Sequence, residues 1–157
     1  MRTIFNVAGF NAMLNYVLIA HLLGATIWTG GHLILSFVVL PKAVLKRDIS
    51  ILLQFEEAFE KIGMPALVVQ IATGLWMAYK LMPTISDWFS YDNDLSILIS
   101  IKLLLLVATI VVALHARFYA IPRLSAQTLK AFSVNIILVT LLAVSFVIVG
   151  TLFRTGL

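Results

Sequence analysis

Apolar positions along this chain fall into four long blocks separated by short polar connections. A helix crossing the hydrocarbon of a bilayer needs about 20 apolar residues at roughly 1.5 Å rise each, and every block reaches that length. The first covers residues 12–40, holds no acidic or basic side chain except two histidines, and is closed by Pro41. The second covers 62–82 and stops at Pro83. The third covers 95–121, contains Lys102, His115 and Arg117, and stops at Pro122; the fourth covers 131–153 and is followed by Arg154. A proline cannot comfortably continue a helix, so Pro41, Pro83 and Pro122 are expected as helix ends. This pattern predicts an all-α integral membrane protein, a four-helix up-down-up-down bundle making one transmembrane domain over 1–157.

Two smaller patterns refine the connections. Leu52, Phe55, Phe59 and Ile62 recur at helical spacing beside Glu56, Glu57 and Glu60, which predicts an amphipathic surface helix between the first and second spans. A solvated face explains the three carboxylates more simply than a metal site does. Asp92-Asn93-Asp94 predicts a turn and the N-cap of the third span rather than a calcium loop.

Composition agrees. The chain is 62% hydrophobic and 11% charged, where a soluble domain would carry about 45–50% and 25%. Disorder, coiled coil and an ordinary cytosolic enzyme are excluded, and no nucleotide loop, nucleophile elbow or nucleic-acid module occurs. The formal charge of +4 therefore points to the lipid bilayer, not to nucleic acid. Lys42, Lys46, Arg47 and Lys61 lie in the 1–2 connection, and Arg117, Arg123 and Lys130 near the 3–4 connection. Arg2, Lys80 and Arg154 lie on the other side, with Asp87, Asp92 and Asp94. By the positive-inside rule both termini are then periplasmic in a bacterial inner membrane. Trp76, Tyr79, Trp88, Phe89 and Tyr91 fall at that outer edge as an aromatic belt. The first span is too long for the core of a signal peptide and lacks a preceding cleavage motif, so Met1 and Arg2 are expected in the mature chain. The absence of cysteine removes disulfides, thiolate ligation of zinc or iron–sulfur clusters, and covalent c-type haem.

Candidate chemistry then rests on His21, His32 and His115, all inside predicted spans. Ionisable groups at that depth usually face the bundle interior. His21 and His32 are separated by about 20° beyond three full turns, so they share one face roughly 16 Å apart. Gly24, Trp28, Gly31, Leu35 and Ser36 lie on the same face; its glycines admit either a neighbouring helix or a flat macrocycle. In an up-down-up-down bundle the first and third helices are parallel. His32 and His115 lie roughly 12 and 9 Å from the ends of their spans, at nearly one level. Two imidazoles at one depth suit the axial ligation of a b-type haem. Gly31 would leave room for the ring and Arg117 would hold a propionate, although Arg117 serves equally as a positive-inside anchor.

His21 lies at the other level, where it can meet Met77 and Lys102. Gln70, Thr73, Gly74 and Met77 share one face of the second span, and small or polar residues grouped in this way normally point inward. His21 with Met13, Met77 or Met82 would suit Cu(I), a soft ion that imidazole and thioether ligate well; the same methionines also serve as plain core. Lys102 either snorkels outward or acts as an internal cation for an anion or a propionate.

The stretches "HLLGATIWTGG" from His21 with "LPK" ending at Lys42, "TGLWMAY" from Thr73 and "IKLLLLV…ALHARF" from Ile101 resemble the copper-resistance protein D (CopD) membrane family over nearly the whole chain. His21 with its aromatic and glycine stretch, and Lys102 with a later histidine, are also similar to HemJ-type protoporphyrinogen oxidases, small membrane proteins that bind haem b. The first resemblance implies copper handling at the bacterial inner membrane, and the second implies haem. Three readings follow. The first is a haem b protein using His32 and His115 for electron transfer or redox chemistry. The second is a protein that binds copper and carries it across the membrane through His21 and methionines. The third is a structural subunit whose histidines only bond across helices. Whether the chain is an enzyme stays open, as does a homo-oligomer. Lacking a methionine-rich external segment, a copper role calls for a periplasmic copper or redox partner protein.

Overall fold

The computed structural model describes residues 2–157, with side chains from residue 13 onward; Met1 and the side chains of residues 2–12, Arg2 and Ala12 among them, lie outside the described residues. The described residues are helical with no strand. Helix α1 (Arg2–Ile34) passes through a π-helical turn (Leu35–Val39) into α2 (Leu40–Lys46), and α3 covers Ser50–Leu81. After a short 3-10 turn (Ile85–Phe89) comes α4 (Asp94–His115), then a π turn (Ala116–Ala120), a 3-10 turn (Ile121–Arg123) and α5 (Leu129–Thr155). The four long rods these make are each long and apolar enough to cross a membrane. The chain is a multi-pass membrane protein.

One predicted boundary moves. Pro41 does not end its rod, which continues to Lys46, whereas Pro122 does close its rod, which ends at Arg123. Each is the second residue after a π turn and sits in the first turn of the helix that follows. A proline lacks the N–H of a regular ladder and clashes with the preceding turn; the wider π register, with Leu40 N–H donating to the Leu35 carbonyl, opens that turn and lets the rod continue. The amphipathic segment is likewise no separate surface helix. It forms the opening turns of α3, which runs unbroken past Pro65 to Leu81. Pro83 behaves as expected, since α3 stops just before it. The N-cap reading also holds: Asn93 accepts from Ser96 N–H at 3.0 Å, and the Ser96 hydroxyl completes a capping box. At the opposite end, Asp48 accepts the Ser50 N–H at 2.9 Å, and its bonds to Ser50 hold its carboxyl below the ordinary range.

Packing order decides what can meet what. Helix α1 is central, lying against α3 on one side and α5 on the other, and α4 packs on α5. Helices α3 and α4 make no comparable contact, so the ring of four stays open between them. The α1–α5 seam is stitched by hydroxyls: Ser36 and Thr140 share a 2.6 Å bond, Thr140 Oγ1 donates to the His32 carbonyl at 3.2 Å, and Thr29 Oγ1 donates to the Ala143 carbonyl at 3.4 Å. Leu35, Leu40, Ala43, Leu52, Leu129, Phe132 and Ile136 close the end carrying the basic connections. At the other end the long loop is pinned by Trp88, whose indole N–H donates to the Met82 carbonyl at 2.8 Å while its own carbonyl accepts from Ser100. Trp88 is buried there and is not a lipid-facing member of an aromatic belt.

Candidate functional site

Two polar regions lie inside the bundle, one toward each end.

Nearer the long loop, His21 faces α3. Its Nδ1 lies 2.9 Å from Thr73 Oγ1. The Thr73 hydroxyl proton is directed to the Val69 carbonyl at 2.6 Å, so Thr73 Oγ1 accepts and His21 Nδ1 carries the hydrogen. That arrangement fixes the imidazole with Nε2 as its lone-pair nitrogen, the state in which histidine ligates a metal. The ring comes this close because residue 74 is glycine: a Cβ there would stand 3.1 Å from His21 Cε1. One turn away on α3, Gln70 Oε1 is buried with no hydrogen-bond partner, and the backbone of Gln70 packs against Gly24. A buried, unsatisfied carbonyl oxygen is costly and calls for a partner. Met77 follows Thr73 by one turn on α3 and is half-buried. The Lys102 Nζ lies 4.9 Å from the centre of the Phe153 ring on α5. Lys102 therefore stays within the bundle against α5, without an acidic partner among the described residues.

The second region is a cleft of about 640 Å³ at the basic end, lying where α3 and α4 fail to meet and lined by all four rods. Trp28, His32 and Phe59 form its inner wall. The His32 ring stands 4.4 Å from that of Trp28 and 5.5 Å, edge-on, from that of Phe59. His32 is 7% exposed, and its Nδ1 donates to the Trp28 carbonyl at 2.8 Å. Across the mouth, Arg117 on α4 pairs with Glu60 on α3 at 3.3 Å.

These placements lend no support to the paired-histidine reading. His32 lines the cleft and His115 does not. The His115 ring is exposed on α4, bonded through Nδ1 to Asn135 Oδ1 at 3.0 Å and stacked on Tyr119 at 5.2 Å. The space beside Gly31 is filled by the Phe59 ring, which would lie 2.1 Å from a Cβ at that position. Arg117 is engaged by Glu60 and is not left for a propionate. These residues do not fit a bis-histidine haem. Nor do His, Asp and Glu gather into a group of three or more suited to a metal among the described residues, so any copper site here must draw on sulfur and amide oxygen as well. The sequence pattern groups Gln70, Thr73, Gly74 and Met77 on one inward face and offers Met77 as the residue His21 meets; it does not reveal the bond between His21 and Thr73.

The sequence model of a family described as Copper resistance protein D (CopD) matches residues 53–153. No curated protein and no solved structure gives a match.

Proposed function

The chain belongs to the copper resistance protein D family, and on that premise we propose that it binds copper as Cu(I) within the membrane, at His21, and passes it between the two faces. The observation that carries this reading is the oriented His21 imidazole, its Nδ1 committed to Thr73 and its Nε2 left as a lone-pair donor. The donors this reading assigns to the ion suit its softness: the His21 imidazole nitrogen, the thioether of Met77 one turn beyond Thr73 on α3, and the orphaned Gln70 carbonyl oxygen as a harder auxiliary donor. A copper ion is the cargo here. The chain's part is to present pre-oriented ligands in a dry interior, where Thr73 and the close approach at Gly74 hold the imidazole in place.

Purified protein titrated anaerobically with Cu(I) against a chromogenic chelator should take up one ion per chain. The same preparation should be colourless in the visible. A stoichiometric Soret band that shifts on reduction, with no copper retained, would replace this reading with haem.

Direction of passage needs the orientation. The basic residues Lys42, Lys46, Arg47, Arg123 and Lys130 cluster at one end of the bundle, which supports a bacterial inner-membrane placement with that end cytoplasmic. Reporter fusions after Lys46 and Gln127 should read cytoplasmic, and fusions after Ser90 or at Leu157 periplasmic. A cytoplasmic readout at Ser90 reverses the orientation.

A further inference from the structure

The cleft at the basic end has no part in the copper reading, yet its composition is that of a ligand site. Its volume of about 640 Å³ lies within the usual range for small-molecule pockets. It lies along the unclosed α3–α4 seam and is lined mostly by apolar side chains, with Glu56, Glu57, Glu60 and Arg117 at one edge, so it suits an amphiphilic guest with an apolar body and a polar head. The inner wall is aromatic: Trp28 and Phe59 flank His32, with ring centres 6.3 Å apart across it. Flat faces of this kind favour a flat guest.

Two polar atoms on that wall define the guest's chemistry. With Nδ1–H given to the Trp28 carbonyl, His32 presents Nε2 as an acceptor that has no partner among the described residues. Trp28 Nε1–H is buried and also unpartnered; it can only donate. A guest that satisfies both needs a hydroxyl to give and an oxygen to accept, on or near one ring. The mouth adds Glu56, Glu57 and the Glu60–Arg117 pair, carboxylates at the edge where an acidic hydroxyl would exchange its proton with water. A phospholipid tail satisfies neither polar atom.

We propose that this cleft binds the hydroquinone head of a membrane-soluble quinol, its hydroxyl donating to His32 Nε2 and one of its oxygens accepting from Trp28 Nε1. The site is independent of His21, so it stands or falls separately from copper binding.

The test uses the full chain in quinone-free nanodiscs, with decylubiquinol added under anaerobic conditions and tryptophan fluorescence followed. Wild type should show saturable quenching at one quinol per chain. Trp28→Phe should lose that saturable component while Trp76 and Trp88 still emit. His32→Phe keeps the aromatic volume but removes the acceptor, and should weaken binding at least tenfold; His32→Gln restores an acceptor and should recover part of it. The quinol's dimethyl ether, which has no hydroxyl to give, should bind as weakly to wild type as the quinol does to His32→Phe. Quenching that rises linearly with probe, as it does by partition into lipid, would overturn the proposal. So would equal binding of quinol and diether, which would make the cleft an apolar filler site, or co-purification of haem that the quinol cannot displace.

Discussion

His21→Ala should abolish high-affinity Cu(I) binding, weakening it by well over the roughly 100-fold that marks the upper range for loss of a supporting residue. The reason is that this imidazole is the one nitrogen donor at its level of the bundle whose tautomer is already set for ligation, through Thr73. Thr73→Val keeps the side-chain shape but removes the oxygen that holds Nδ1–H. It should weaken binding by about 10- to 100-fold, the range typical of groups that orient a ligand. Met77→Leu preserves volume and removes only the thioether; it should therefore lower affinity without lowering stability by more than about 1.5 kcal/mol. His32→Ala, roughly 16 Å further along the helix, should leave copper affinity unchanged. Chelator competition on the four purified variants checks the order. Equal affinity in wild type and His21→Ala would remove His21 from the site, and a large loss in His32→Ala would move the site to the cleft.

Much of the fold was legible because it is local. Long apolar blocks, Pro83 just beyond the end of α3 and the Asn93–Ser96 capping box each act over a few residues, and the four expected spans are present as four long rods. The misreadings have a common cause. Pro41 looks like a terminator unless the turn before it widens into a π register, and a sequence pattern does not display that register. The expected surface helix is instead the start of α3, which runs unbroken through Ile62 and on past Gly63 and Pro65. For the histidines, the expected common level of His32 and His115 rests on a rise of about 1.5 Å per residue alone, and direction was not readable. Which way each ring faces depends on the order in which the helices pack, and α1 is flanked by α3 and α5, with α4 packed on the far neighbour. His115 consequently finds Asn135 on α5, and His32 stays with Trp28 and Phe59. The His21 level was more legible because α1 and α3 are joined by a short connection and must be antiparallel neighbours.

Gly31→Val should be among the most destabilising single changes in the bundle, while Gly30→Ala beside it should be close to neutral. The two glycines differ in what faces them. A Cβ on Gly30 meets nothing within 4 Å, whereas a Cβ on Gly31 would lie 2.1 and 2.3 Å from two carbons of the Phe59 ring. That ring has little room to retreat. A Cβ on Gly63, on its own helix, would stand only 2.7 Å from it, Phe55 stacks at 5.7 Å, and His32 packs edge-on at 5.5 Å. Overpacking of this kind typically costs 1–3 kcal/mol and occasionally more; with the ring held on several sides, about 3 kcal/mol is expected for Gly31→Val. Gly30→Ala should lie between no effect and a gain of about 0.5–1 kcal/mol, the ordinary advantage of alanine over glycine within a helix. Unfolding in mixed detergent, followed by helical circular dichroism, measures both. Combining Gly31→Val with Phe59→Ala removes the clash and should recover much of the loss, a coupling that residues in direct contact show and distant ones do not. Equal effects at Gly30 and Gly31, or no recovery in the double variant, would mean that the α1–α3 seam is not held by the ring of Phe59 seated on Gly31.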